Sequence, residues 1–224
     1  GLEPLAVRAA IVKSSYDIVL SVNGICEDPT WRYCVNANAS APANRSGADY
    51  AQMWRIGGDL WDNWGQVAGT PANRMHYHAA PYNWPDNDML PFGPLVGTGQ
   101  GGNGSPWVTA LRPSNLTHAE AQFMMSFWAI SQSPLMLGGF LPDMSEADVA
   151  LLTNREVLDL NAHGTRSAQL WSNSSGIAWR SERHRHGGSQ PAAVAGGGAA
   201  QSVFYCALLN LQERAEEVGA TLAR

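Results

Sequence analysis

Apolar residues recur at helical spacing over 5–14 (LAVRAAIVKS), and a β-branched run, 17–22 (DIVLSV), follows at once, so the chain is expected to open with a helix feeding a buried strand. Segment 23–47 mixes Pro, Gly, Asn and Ala without a period and reads as an excursion loop. The second strand is expected at 50–56. It stops at Gly57-Gly58, because a helix continued through that pair would lose roughly 1 kcal/mol per glycine relative to alanine. A helix begins within 62–67, the stretch 69–82 is irregular, and the Gly-rich, Pro-flanked segment 93–106 reads as a rim or lid loop. Thr117 and Glu120 form a capping box ahead of an apolar face made by Phe123, Met124, Phe127, Trp128 and Ile130. Another buried strand is expected at 134–139 (PLMLGG), a short helix capped by Ser145 over 145–152, and one more turn at 156–161.

With a helix inside 23–47 and a short strand at 77–82, helices and strands alternate and the strands number four. That pattern predicts a parallel sheet with helical crossovers, half the count of an eight-fold barrel. After Gly164 the period changes to two over 168–171, 176–179 and 203–211, with a Gly/Ala/Ser-rich stretch at 187–200 between the last two. Antiparallel strands are expected there. The predicted organisation is α/β over 1–164, then an antiparallel β domain over 165–224 with too few strands to close a sandwich.

Composition narrows the function. Of 224 residues, 45% are hydrophobic and 15% charged, enough for a substantial core. A formal charge of -5, with a basic cluster only at 180–186, argues against nucleic acid. The longest apolar run, around 135–141, is far short of the roughly 20 residues of a membrane span. Nine tryptophans suit a cleft that stacks flat apolar faces. Cys26 and Cys34 stand close enough to bridge a loop in an oxidising compartment, and Cys206 reads as a buried thiol. His76 and His78 lack acidic or cysteine partners at ligand spacing, so no metal site and no cofactor are expected. Asn-x-Ser/Thr triplets at Asn38, Asn44, Asn103, Asn115 and Asn173 fit a secreted or lysosomal/vacuolar route. The chain opens on Gly1 without a targeting segment, which reads as a piece of a longer protein.

Charge set among bulky apolar residues marks the candidate chemistry. In MWRIGGDLWDNW (53–64), Arg55 and Asp59 flank the Gly57-Gly58 break, so Asp59 sits just past a strand end, where parallel α/β folds collect catalytic groups. Capping of the next helix by Asp59 or Asp62 is the competing reading. In NWPDNDML (83–90), Asp88 reads either as a turn residue after Pro85 or as a site carboxylate.

These two segments, with DIVLSV at 17–22, SFWAISQSPLMLGG at 126–139 and LLTNREVLDLN at 151–161, resemble in order and spacing the retaining α-galactosidases (melibiases) of glycoside hydrolase family 27. The resemblance implies the C-terminal half of a (β/α)8 TIM barrel followed by a partial antiparallel β-sandwich domain, and hydrolysis of terminal α-galactosides with retention. It implies Asp59 as general acid/base, with Arg55 as a ligand of the nucleophile or of sugar hydroxyls. Asp88 and Met89 would line the galactose pocket, and Asp86 would have a structural or hydrogen-bonding role.

The chemistry agrees with that assignment. Trp61, Trp84 and Met89 would raise the pKa of Asp59 by desolvation, Arg55 would oppose them, and Trp84 can stack beneath a sugar ring. A retaining hydrolase needs a second carboxyl about 5–5.5 Å away. The family carries it in a Lys-x-Asp segment, and nothing here matches, since Lys13 precedes Ser14-Ser15. Many members also have a Cys-Glu-Trp-like group where this chain has Val22-Asn23-Gly24, which leaves sugar preference open. The expected substrate is a galactoside or oligosaccharide, the chain alone is expected to be inactive, and its open strand edges favour oligomers. A non-catalytic, vestigial carbohydrate-binding protein is the alternative from another class, and α-N-acetylgalactosaminidase or β-L-arabinopyranosidase the sister specificities.

Overall fold

In the computed structural model, residues 3–22, 51–74, 84–96, 110–184 and 202–212 are described. Helix α1 (Glu3–Ser14) leads through Ser15, at φ 56°, toward strand β1 (Ser21–Val22). β1 pairs in parallel with β2 (Met53–Arg55), and β2 with β3 (Trp84–Asp86), in the registers Ser21↔Met53 and Met53↔Trp84. Beyond β3 the parallel pairing continues as a single bridge, Leu90↔Leu137. The predicted parallel sheet therefore exists, with changes of detail. The third strand falls on Trp84–Asp86, while the expected strand at 77–82, the loop at 23–47, Cys26, Cys34, His76, His78 and the 187–200 stretch lie outside the described residues.

Two strand expectations are corrected. The buried strand at 17–22 contracts to Ser21–Val22, and Ile18 and Val19 are 46% and 58% exposed. Among the described residues β1 has only β2 beside it, so nothing covers that edge or its apolar side chains. The strand at 134–139 contracts to the bridge at Leu137, where Leu90 N–H donates to Met136 O (2.7 Å) and Gly138 N–H to Leu90 O (2.9 Å). The expected loop at 93–106 contains β4 (Leu95–Val96), paired antiparallel with β5 (Leu111–Arg112).

Helix α2 (Trp64–Arg74) follows β2, and α3 (His118–Ile130) precedes the Leu137 bridge. The capping box forms as expected: Thr117 Oγ1 accepts from Glu120 N–H, and the Glu120 carboxylate accepts from Thr117 N–H (2.6 Å). With its ends satisfied, α3 can be buried nearly all round, and Met124, Phe127 and Trp128 have no exposed surface. Helix α4 (Glu146–Leu152) starts at Ser145, as its sequence predicts. The expected turn at 156–161 is a nine-residue helix, α5 (Arg155–His163), because Asn154 Oδ1 accepts from the N–H groups of Glu156 and Val157.

Strands β6 (Thr165–Ser172), β7 (Gly176–His184) and β8 (Ser202–Asn210) form an antiparallel meander. Its inner face packs on α3. Trp179 meets Phe127 edge-on at 5.2 Å, and its indole N–H donates to Ser167 Oγ, which in turn donates to Ile130 O (2.7 and 2.6 Å). The core therefore runs continuously past Gly164, where an added Cβ would meet Leu160 O at 2.6 Å and Ser181 Oγ at 2.7 Å. Cys206, expected to be buried, is exposed. Strand alternation turns it outward with Phe204 and Leu208, opposite the face that packs on α3. Among the described residues no helix is long and apolar enough to cross a membrane.

Candidate active site

The sheet ladder extends past β2, since Ile56 N–H donates to Asp86 O (3.1 Å), and this brings the segments after β2 and β3 side by side. Arg55, the last residue of β2, gathers them. Its Nη2 contacts Asp88 Oδ2 (2.7 Å), Gly58 O (2.8 Å), Gly57 O (3.3 Å) and Asp59 Oδ1 (3.5 Å). The Arg55 and Asp88 side chains are 13% and 15% exposed, whereas that of Asp59 is 70% exposed. Neither Asp59 nor Asp62 caps α2. That position belongs to Asn63, whose Oδ1 accepts from Gln66 N–H (3.1 Å), while Gln66 Oε1 accepts from Trp61 N–H (2.9 Å).

After β3 the chain turns sharply at Asp88, whose φ of 84° is rare for a non-glycine residue. Asp86 Oδ1 accepts from Asp88 N–H (2.8 Å), and Asn87 is held by Ser133 Oγ (3.0 Å) and Ser131 Oγ (3.1 Å). Burial pushes the Asp86 carboxyl above its ordinary range, against the Asp88 N–H and the Arg55 charge. Asp88 is raised by burial too, against the N–H groups of Leu60 and Met89 and the charge of Arg55. Met89 is half-buried beside Gly138, and Trp84 is half-buried on β3.

Asp59 borders a cavity of about 440 Å3 formed by the glycine turn, the first turns of α2 and Asn87. Trp61, Trp84 and Met89 do not line it, so the desolvating walls expected around Asp59 are not formed there; the carboxylate instead faces solvent. Four buried polar atoms near these strand ends, Trp54 Nε1, Arg55 Nε, Trp61 Nε1 and Asn87 Oδ1, have no hydrogen-bond partner among the described residues. Buried donors and acceptors in that state are uncommon; Arg74, Gln169 and Arg183 carry the others among the described residues.

Asp62 has a structural role that sequence reading missed. Its side chain is fully buried and meets Arg112 through two contacts (2.5 and 2.9 Å), and Oδ2 also accepts from Asn115 N–H (2.7 Å). Burial alone would raise its pKa, but the Arg112 hydrogen bond, the Asn115 N–H and the Arg112 charge outweigh it and hold the carboxyl below its ordinary range. The partners are fifty residues apart, so no local spacing announces them. Arg112→Ala is expected to destabilise the fold by about 3 kcal/mol, since it strands a buried carboxylate. Asp62→Asn should cost less, because Arg112 keeps 23% of its side-chain surface in water. A depressed pKa contributes stability that is present above the unfolded value, roughly 3.9, and lost as pH falls through the folded one. The gap between wild type and Asp62→Asn in urea melts should therefore close on acidification below about pH 4. Asp86 and Asp88, with raised values, have the opposite sign and favour the fold more as pH falls.

No family model matches the chain. Over 137 residues it is 32% identical to alpha-galactosidase D of Emericella nidulans, covering 58% of this chain and 18% of that protein. Over 122 residues it is 31% identical to alpha-galactosidase 2 of Arabidopsis thaliana, covering 54% of this chain and 26% of that one. The crystal structure of a family 27 β-L-arabinopyranosidase from Geobacillus stearothermophilus superposes with a TM-score of 0.64 at 30% identity, over 81% of this chain and 38% of that one. The chain is a homologue of the family 27 α-galactosidases. It spans about a quarter or less of the length of these curated family 27 relatives.

Proposed function

We propose that this chain forms the C-terminal part of the catalytic barrel, and the opening strands of the β domain, of a retaining α-galactosidase-type hydrolase. In that reading 1–164 is the second half of the (β/α)8 barrel, and the nucleophile is supplied by a strand outside this chain. One observation carries it: Arg55, Asp59 and Asp88 converge just past the C-terminal ends of two adjacent parallel strands, the rim where barrel enzymes carry their chemistry. Asp59, exposed to water and within reach of Arg55, is the general acid that protonates the leaving oxygen and then the base that activates water. Arg55 Nε, buried without a partner among the described residues, is a spare donor for the nucleophile carboxylate or a sugar hydroxyl. Met89 and Trp84 supply apolar surface for the sugar ring. The exposed Asn115 and Asn173 acceptor positions agree with a secreted or lysosomal/vacuolar protein.

The 30% identity to a β-L-arabinopyranosidase over most of the chain supports a second reading, a pentose specificity on the same scaffold. Both are tested with aryl α-D-galactopyranosides and aryl β-L-arabinopyranosides, on the 224-residue chain and on the natural protein containing it. The chain alone should give no turnover above an Asp59→Ala control, whereas the natural protein should hydrolyse one substrate class with retention. Activity in the isolated chain that Asp59→Ala abolishes would refute a nucleophile lying outside it.

A further inference from the structure

We propose that Asp88 is a positioning residue for Asp59, holding the acid's loop through the Leu60 main chain rather than binding sugar with its carboxylate. The inference rests on the functional reading above and changes one role within it.

Every polar atom of Asp88 is engaged by the protein. Oδ2 accepts from Leu60 N–H (2.6 Å) and from Arg55 Nη2 (2.7 Å), and Oδ1 accepts from Met89 N–H (2.7 Å). The backbone N–H donates to Asp86 Oδ1, and the backbone O accepts from the indole N–H of Trp128, each at 2.8 Å. A carboxylate offers about four lone-pair sites, and three are filled before any ligand arrives. The left-handed backbone at Asp88, which costs a non-glycine residue on the order of 1–3 kcal/mol, persists only where the surroundings over-determine it. Here five hydrogen bonds do so.

The bond to Leu60 N–H decides what that rigidity serves. Leu60 follows Asp59 directly and is anchored in the core at 5% exposure, so fixing its N–H fixes the peptide plane from which the Asp59 side chain projects. Arg55 closes the circuit by touching both carboxylates. Asp59 is 70% exposed, and Asp88 holds both the residue that follows it and the arginine that touches it. In Asp88→Asn the amide cannot accept at both former oxygens, so it must face either Leu60 and Arg55 or Met89 with donors. The acid's loop then shifts while the surface open to the sugar changes little.

The test uses the natural protein and two aryl glycosides, one with a good and one with a poor leaving group, since only the latter needs the acid in the bond-breaking step. Asp88→Asn is expected to lower kcat on the poor leaving group by about 10²-fold, the scale of a 1 Å misplacement, with KM within about three-fold and far less loss on the good one. A uniform rise in KM, equal for both leaving groups, would overturn the proposal in favour of sugar binding. Trp128→Phe is the second variant, kept for the case that Asp88→Asn does not fold. Trp128 is fully buried and cannot touch substrate, yet its loss frees the Asp88 carbonyl, so a smaller leaving-group-dependent fall in kcat is expected and an unchanged kcat counts against the idea. Should the wild type hydrolyse neither glycoside, the functional reading fails by itself. The positioning claim is then judged by amide exchange at Leu60, which must accelerate in Asp88→Asn; unchanged exchange overturns it.

Discussion

Asp59→Asn is expected to slow hydrolysis of glycosides with poor leaving groups by about 10²–10⁴-fold in the natural protein, the contribution of a positioned acid and base, with little change in binding. Asparagine keeps the shape but can neither donate the proton to the leaving oxygen nor take one from water. Asp59 suits that work because it is the exposed carboxylate of the cluster, whereas Asp86 and Asp88 are both committed to backbone donors. If the nucleophile lies on a strand outside this chain, as proposed, turnover should emerge only when the remaining strands enclose Asp59. Azide added to Asp59→Asn, with an activated substrate, should restore turnover because the anion attacks the glycosyl-enzyme without needing a base, releasing the enzyme carboxylate and a glycosyl azide; full activity in the unrescued variant would refute the assignment.

What could be read from the sequence was local, and what could not was long-range. Thr117 and Glu120 announce α3 because both halves of a capping box sit three residues apart, and Ser145 announces α4 similarly. Period-two alternation located β6, β7 and β8, since it reflects a sheet with one face on a core. The segment order around Arg55, Asp59 and Asp88 pointed to the site, and those three side chains do meet. The division of labour among the acids was not legible. Asp59, Asp62, Asp86 and Asp88 look alike in sequence, and their roles separate only when Arg112, Leu60 and Asn115 arrive from elsewhere in the fold. Asn63 took the cap offered equally to two aspartates, because α2 starts one residue after it. Cys206 was misjudged because alternation gives the two faces of a strand but not which one the core will claim.

Gly139→Ala should be strongly destabilising for a single added methyl. Residues 136–140 lie against 90–94 through Leu90 N–H to Met136 O, Gly138 N–H to Leu90 O, and Phe140 N–H to Pro94 O (2.8 Å), so the two backbones are in direct contact. A Cβ at Gly139 would overlap the carbonyl oxygen of Phe92 and stand 2.9 Å from its carbon, with the Met144 methyl at 3.2 Å on the other side. The obstacle is main chain beside a ring that is 1% exposed, so neither partner can yield without parting the segments. Overpacking usually costs about 1–3 kcal/mol; with a main-chain carbonyl as the obstacle the loss should reach or exceed about 3 kcal/mol, a large share of a typical domain's 5–15. Gly138→Ala is the control. Its Cβ would meet Met89 Sδ at 2.5 Å, the far end of a flexible side chain, so about 1 kcal/mol is expected, with Met89 displaced. Urea melts of both variants separate the cases. Equal destabilisation by the two alanines would mean that the Phe92 backbone can move, and that 134–139 is held in place by something other than its close approach to the segment after β3.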